Sequence, residues 1–364
     1  MQKIFRQSGD GLIVAGWLLL VILFMITGCN KHPIKELKDF NQVNLVANND
    51  EYGAARVDPA FINGWGMSFS SGGTIWVSVE GSGLSEVWDK TGNVVLAAVT
   101  IPSAGDAATG GHPSGQVFNA TTDFKLPNGN PARFIFAGLD GVISGWNGGP
   151  AAVTAIDDSP SGAVYSGIAL ASDGGANFLY VANFSAGKID VYDKDWTEVD
   201  KPFADPHIPA GYSPFNIQNI GGLLYVMYAK VGADGEEEKG PGKGYVDIYN
   251  PDGSLVNHFI AKGELNAPWG IAQAPAAFFD ADMDMGNTHN AILVGNFGDG
   301  RINVYDESGK FLGPLRSKQK PIEIDGLWAI SFAPVTATTV DPGWLFFAAG
   351  PDDETHGLFG YISK

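Results

Sequence analysis

The chain contains a single cysteine, Cys29, so no intramolecular disulfide can form and the fold must be held by packing and by closure of its sheets. Charge is scarce as well, at 17% of residues, and positive charge scarcest: 22 Lys and Arg stand against 40 Asp and Glu, a formal net charge of -18. Neutralising a phosphate backbone takes clustered Lys and Arg. Nucleic acid is therefore excluded as a partner. No Gly-x-Ser-x-Gly elbow, His-Glu-x-x-His pair or P-loop occurs anywhere in the chain, which removes the commonest signatures of nucleophile, zinc-protease and nucleotide chemistry. Past residue 28 no amphipathic helical period appears either. What is abundant is glycine, 49 residues, with 21 prolines and 45% apolar residues, a composition suited to many short strands joined by tight turns.

The N-terminus reads as an address and not as structure. Lys3 and Arg6 precede an apolar run from Leu12 to Ile26, and Ile26-Thr27-Gly28-Cys29 ends it with small residues before the cysteine. That ending resembles the lipobox of bacterial lipoproteins, which implies a signal peptide over 1-28 and lipid attachment at Cys29. The alternative is an uncleaved anchor, against which the run falls short of the ~20 residues that span a bilayer. Asn30 follows the cysteine, where by resemblance to bacterial sorting an aspartate would mean inner-membrane retention; outer-membrane attachment is expected. Residues 29-41 read as a lipidated cysteine and a polar tether, and 42-364 as one domain.

Repeats dominate that domain. A small residue, usually glycine, opens an apolar alternating segment at Gly66, Gly115, Gly167, Asn216, Gly270 and Ala329, with spacings of 49, 52, 49, 54 and 59 residues. Each opening precedes a β-rich run such as Ile75-Trp76-Val77 or Leu224-Tyr225-Val226, then a third run ending, in most units, on an aromatic and an Asp or Asn, as at Trp88-Asp89 and Tyr305-Asp306. Asp and Asn tolerate left-handed backbone and bond their own chain, so they end strands in tight turns. Segments such as Ser254 to Ile260 supply fourth strands. Period-two alternation with turns at this spacing predicts an all-β, six-bladed β-propeller of four-stranded antiparallel blades; a seventh blade is the rival count. The last unit lacks a fourth strand, and Val43 to Ala47 is expected to supply it, closing the ring and leaving no open edge.

The fifth unit, Pro268-Trp-Gly-Ile-Ala with Ile292 to Asp306, resembles an NHL repeat of six-bladed propellers. Across Asn44 to Ile362, motifs including Asn63-Gly-Trp-Gly66, Asp140 to Asn147, Leu265 to Gly270, Leu293 to Gly300, Ile324 to Ala329 and Ala349 to Gly360 resemble a bacterial family of exported conserved hypothetical proteins. That resemblance implies the fold and no activity.

In such a blade the entry to strand one and the loop between strands two and three share a face. That face collects Glu80, Asp140, Asn183, the insertion from Lys230 to Gly244, Asn296, Asp353, Glu354 and His356, with Trp65, His112, Asp325 and Trp328 at blade entries. The functional reading is an acidic, aromatic funnel. Asp140, Asn183 and Asn296 would be oxygen ligands for a hard cation such as Ca²⁺. Trp65, Glu80, Asp325, Trp328 and Asp353 would line a ligand site, and His356, Glu354 and His112 are the candidate acid-base groups. The competing reading is that turn carboxylates serve turns and that the tryptophans wedge blades together. Asp280-Ala-Asp-Met-Asp284-Met-Gly286 imitates an EF-hand loop, but Ala291 stands where the bidentate glutamate would. The run Asp234 to Gly242 reads as a solvated loop. The expected protein is a monomeric, membrane-anchored propeller acting as a binding module for a small molecule or a protein, with a calcium-dependent hydrolase or lyase as the alternative.

Overall fold

A computed structural model describes residues 37-364 except 106 and 280-289. The signal peptide, Cys29 and the EF-hand-like loop from Asp280 to Gly286 lie outside the described residues.

Six antiparallel blades follow one another along the chain. Blade one runs Gly64–Phe69, Ile75–Val79, Leu84–Trp88 and Val94–Thr100. Blade two runs Pro113–Phe118, Phe134–Gly138, Val142–Trp146 and Val153–Asp157. Blade four runs Tyr212–Ile220, Leu223–Lys230, Gly244–Tyr249 and Leu255–Ala261. Blade five runs Pro268–Gln273, Ile292–Asn296, Ile302–Tyr305 and Phe311–Pro314. Blade six takes Leu327–Phe332, Leu345–Ala349 and Leu358–Ser363 from the C-terminus, and its fourth strand is the N-terminal Asn41–Ala47, paired Asn41 to Ser363 through Ala47 to Leu358. The ring is thus closed by the first strand as expected. Arg56–Val57 then adds a short parallel fifth strand to the same sheet.

Blade three departs from the pattern. Only Tyr165–Asp173, Ala176–Asn183 and Lys188–Asp193 form a sheet, and the fourth strand shrinks to one bridge between Tyr192 and Glu198. The connector that follows covers the gap with Val199, Phe203 and Ile208, packed on the core between blades three and four.

The repeated glycine has a steric reason. Innermost strands converge on the axis, and a Cβ on Gly115 would lie 2.9 Å from the Ile168 nitrogen of the next blade, one on Gly270 2.6 Å from the Trp328 carbonyl. Blade four has Asn216 at this position, and its amide donates to the Trp269 carbonyl of blade five at 2.8 Å.

Two expectations need correction. Residues 37-41 are not a solvated tether: Leu37 and Phe40 are buried, and Phe40 stacks on Phe278 at 5.0 Å, because apolar surface here gains more from the blade five and six seam than from water. The run Asp234 to Gly242 is not a free loop either. It folds back as a hairpin in which Val231 pairs with Glu237 and the Glu238 amide donates to the Lys230 carbonyl at 2.7 Å.

Candidate functional site

On the face shared by blade entries and second loops, the axis is filled by aromatic rings. Trp328, wholly buried, is stacked between Trp65 at 3.7 Å and Phe297 at 3.8 Å, with Trp269 edge-on at 6.0 Å and Phe215 tilted at 5.7 Å. These rings form a plug. An open funnel was the expectation, and Trp65 and Trp328 instead close it, since six converging entry segments leave a central space that indoles fill better than water.

Polar groups sit beside this plug. Asn63, in left-handed backbone at φ 53°, is the hub: its Oδ1 accepts from Trp328 Nε1 at 3.1 Å, while Nδ2 donates to Glu80 Oε2 at 3.0 Å and Glu354 Oε2 at 2.9 Å. Glu80 Oε1 in turn meets His112 Nδ1 at 2.7 Å. Blade one, blade two and blade six therefore bring together three of the expected groups, Glu80, His112 and Glu354, around an asparagine that was not singled out.

Glu354 is held by unusual backbone. Asp352, Asp353 and Glu354 all have positive φ, 57°, 49° and 66°, a turn of left-handed helix closed by the Glu354 amide on the Gly350 carbonyl at 3.1 Å. Non-glycine residues enter this region singly, at a cost of about 1-2 kcal/mol each. Three in succession persist only where the surroundings enforce them, which is a mark of functional sites. The Asp352 amide, held by Asp325 Oδ2 at 2.8 Å, pins the turn. Burial pushes the Glu354 carboxyl up, the Glu80 charge adds to this, and the Asn63 bond partly opposes it. Glu237, half-buried in the hairpin, is pushed up to about 7 by burial first and by the Glu354 charge among others. Lys239 of the same hairpin lies 4.3 Å above the Phe297 ring.

Other candidates go elsewhere. His356 turns to the closure seam, where its Nδ1 accepts from the Asn48 amide at 3.0 Å. Asp353 and Asp325 are exposed on the rim. Asn183 donates to Asp190 Oδ2 at 2.7 Å and accepts from Ser185 at 3.0 Å, while Asn296 donates to the Glu264 carbonyl at 2.8 Å and to Asp299 at 3.1 Å. Asp140 Oδ2 accepts from the Ala104 amide at 3.0 Å, and its buried Oδ1 has no partner. The three share no hydrogen bond among the described residues, and the two amides are already spent on their own loops. This set does not fit a common Ca²⁺ ion, which needs six to eight free oxygens.

The cavities lie apart from this cluster. One of about 380 Å³ opens beside Asn183, lined by Asp158, Tyr165 and Tyr192, whose hydroxyls both donate to Asp158 Oδ2 at 2.6 Å. Another of about 310 Å³ opens between the inner strands and is lined by Met67, Gln116, Gln218 and Phe332. Neither cavity is lined by Glu80, His112, Glu237 or Glu354. Glu237 and Asn63 were missed in the sequence: the first is one of three consecutive glutamates, and the second signals itself only as a non-glycine at a positive-φ position.

No protein-family model matches the chain. Two uncharacterized proteins of Acanthamoeba polyphaga mimivirus are each 32% identical to it, over 340 and 344 residues, covering 89% of this chain and 80% and 86% of their own lengths. A solved structural genomics protein of unknown function from Bacteroides thetaiotaomicron superposes with a TM-score of 0.54 at 10% identity, over 89% of this chain and 77% of that one, a likeness of fold. With a third of its residues shared with them along nearly its whole length, the chain belongs to the same family as the two mimivirus proteins.

Proposed function

We propose that the chain is an exported, lipid-anchored propeller that binds a basic segment of a partner protein on its plugged axial face. The observation that carries this reading is the pair of carboxyls withdrawn from water there, Glu354 on a strained left-handed turn and Glu237 on a hairpin, both disfavoured as anions by burial, which the Lys239 charge only partly offsets. A Lys or Arg side chain arriving at this surface restores the charged form of both, and acidic groups drawn from blades one and six and from the hairpin offer a polypeptide several contacts at once. The net charge of -18 steers such a partner toward the protein. Anchoring through Cys29, as in exported bacterial lipoproteins, would tether the propeller to a membrane.

The test is calorimetric titration of the intact chain with a lysine-rich and an arginine-rich peptide, at low and at moderate salt, in wild type and in Glu354→Gln. Binding weakened tenfold or more in the variant, with the melting temperature retained, is the expected result. Equal affinity in both forms would overturn the proposal. Ca²⁺ binding that is lost in Glu354→Gln, with no peptide binding, would transfer the face to the metal-dependent hydrolase or lyase reading.

A further inference from the structure

A second cluster lies far from the axis, on the outer strands of blade four. Asp247 on the third strand and His258 on the fourth face each other in register. Asp205 reaches them from the connector that replaces the fourth strand of blade three. His258 Nδ1 is 2.7 Å from Asp247 Oδ1 and 2.8 Å from Asp205 Oδ2, and both carboxylate side chains are completely buried.

One ring nitrogen carries at most one proton. Directed at Asp247, it leaves Asp205 Oδ2 buried and without a hydrogen bond, aimed at the same nitrogen. Two buried carboxylates converging on one ring nitrogen repel each other, which is costly. With the imidazole proton on Nε2, a divalent cation held by Nδ1 and the two carboxylates serves all three groups at once and cancels both charges.

We infer that Asp205, Asp247 and His258 form a site for a divalent transition-metal ion of the Zn²⁺ type, which staples the connector between blades three and four to the outer edge of blade four. Nδ1 lies 2.7 and 2.8 Å from the two carboxylate oxygens and all three atoms lie within 4.8 Å of one another, close enough to converge on one ion with bonds of about 2.0-2.2 Å. An imidazole nitrogen with two carboxylates selects Zn²⁺ and its neighbours over Ca²⁺, which takes six to eight oxygens. The ligands are themselves oriented, as metal ligands are. Tyr249 donates to Asp247 Oδ2 at 3.2 Å, and the backbone amide and Nδ1 of His207 each lie 2.7 Å from Asp205 Oδ1. His258 is partly exposed, which leaves an entry path and a position for water. The staple has a use here, because the connector makes no regular strand pairing and is otherwise held by the packing of Val199, Phe203 and Ile208 and by Lys201, paired with Asp173 at 2.7 Å.

The intact chain, stripped with EDTA and moved to metal-free buffer, is titrated with Co²⁺ by visible absorption and with Zn²⁺ by calorimetry. One ion per chain is expected, with slower proteolysis between residues 200 and 211. His258→Gln, at a partly exposed position, and Asp205→Asn should each weaken binding at least a hundredfold, and His207→Gln about tenfold. Glu354→Gln should bind as wild type does, which separates this site from the axial face. Absence of stoichiometric uptake by wild type, uptake unchanged in both His258→Gln and Asp205→Asn, or preference for Ca²⁺ would each overturn the inference.

Discussion

Replacing Trp328 tests whether the axial plug both stabilises the ring and positions the acidic face. The indole is wholly buried between two stacked rings at 3.7 and 3.8 Å. Trp328→Ala removes its burial and leaves a cavity, about 3-5 kcal/mol, and the lost aromatic stacks contribute about 0.5-1.5 kcal/mol each. Asn63 Oδ1 also loses its donor, about 1-3 kcal/mol if it stays dry. These costs overlap, so roughly 6 kcal/mol is a reasonable expectation. Unfolding entropy of about 2.1 cal/mol/K per residue gives a domain of this length close to 0.7 kcal/mol per kelvin, so the melting temperature should fall by about 8 °C. Trp328→Phe is the finer probe: it keeps a ring in the stack but removes the N-H, so Asn63 loses its anchor while most of the packing survives. A fall of about 3 °C is expected, together with weaker peptide binding, because Asn63 is what holds Glu80 and Glu354. Calorimetry at one scan rate and the peptide titration supply both readouts. A melting temperature in Trp328→Ala within about 2 °C of wild type would refute the plug as a stabilising element, and unaltered peptide binding in Trp328→Phe would refute its link to the face.

Glu86 supplies a pH-dependent prediction. Its side chain is buried, Oε2 has no partner, and burial, with the Asp58 charge second, pushes its carboxyl up to about 8. Between about pH 4.5 and 8 the folded protein holds a proton that the unfolded chain has released, so stability falls as pH rises through that window and levels off above it. Glu86→Gln should therefore melt higher than wild type at pH 8.5, by at most about 5 kcal/mol of stability, and converge with it near pH 4.5; a gap that does not change with pH would contradict this. Cys29→Ser should stop incorporation of labelled fatty acid and leave the precursor unprocessed, and normal maturation of that variant would rule out the lipid anchor.

Much of the fold was legible because its causes are local and repeated. Gly66, Gly115, Gly167 and Gly270 recur near one spacing since inner strands meet at the axis wherever they lie in the chain. The missing last strand in unit six pointed to Val43 to Ala47, within the observed Asn41–Ala47, because an unpaired sheet edge demands a partner. The candidate site was legible in part: blade topology places Glu80, His112 and Glu354 on one face, where Asn63 and hydrogen bonds join them, and it cannot say which of a dozen residues on that face touch.

What the amino-acid order determined was the number of blades, the closure and the face on which each loop emerges, because all three follow from period-two alternation and turn chemistry acting over a few residues. Only the tertiary structure decided that Trp65, Phe297 and Trp328 fill the axis, that Asn63 joins Glu80 to Glu354, and that Asp205 meets Asp247 and His258. Those contacts join residues 17 to 291 positions apart and depend on the angle at which blades meet, a packing quantity to which no local residue pattern corresponds.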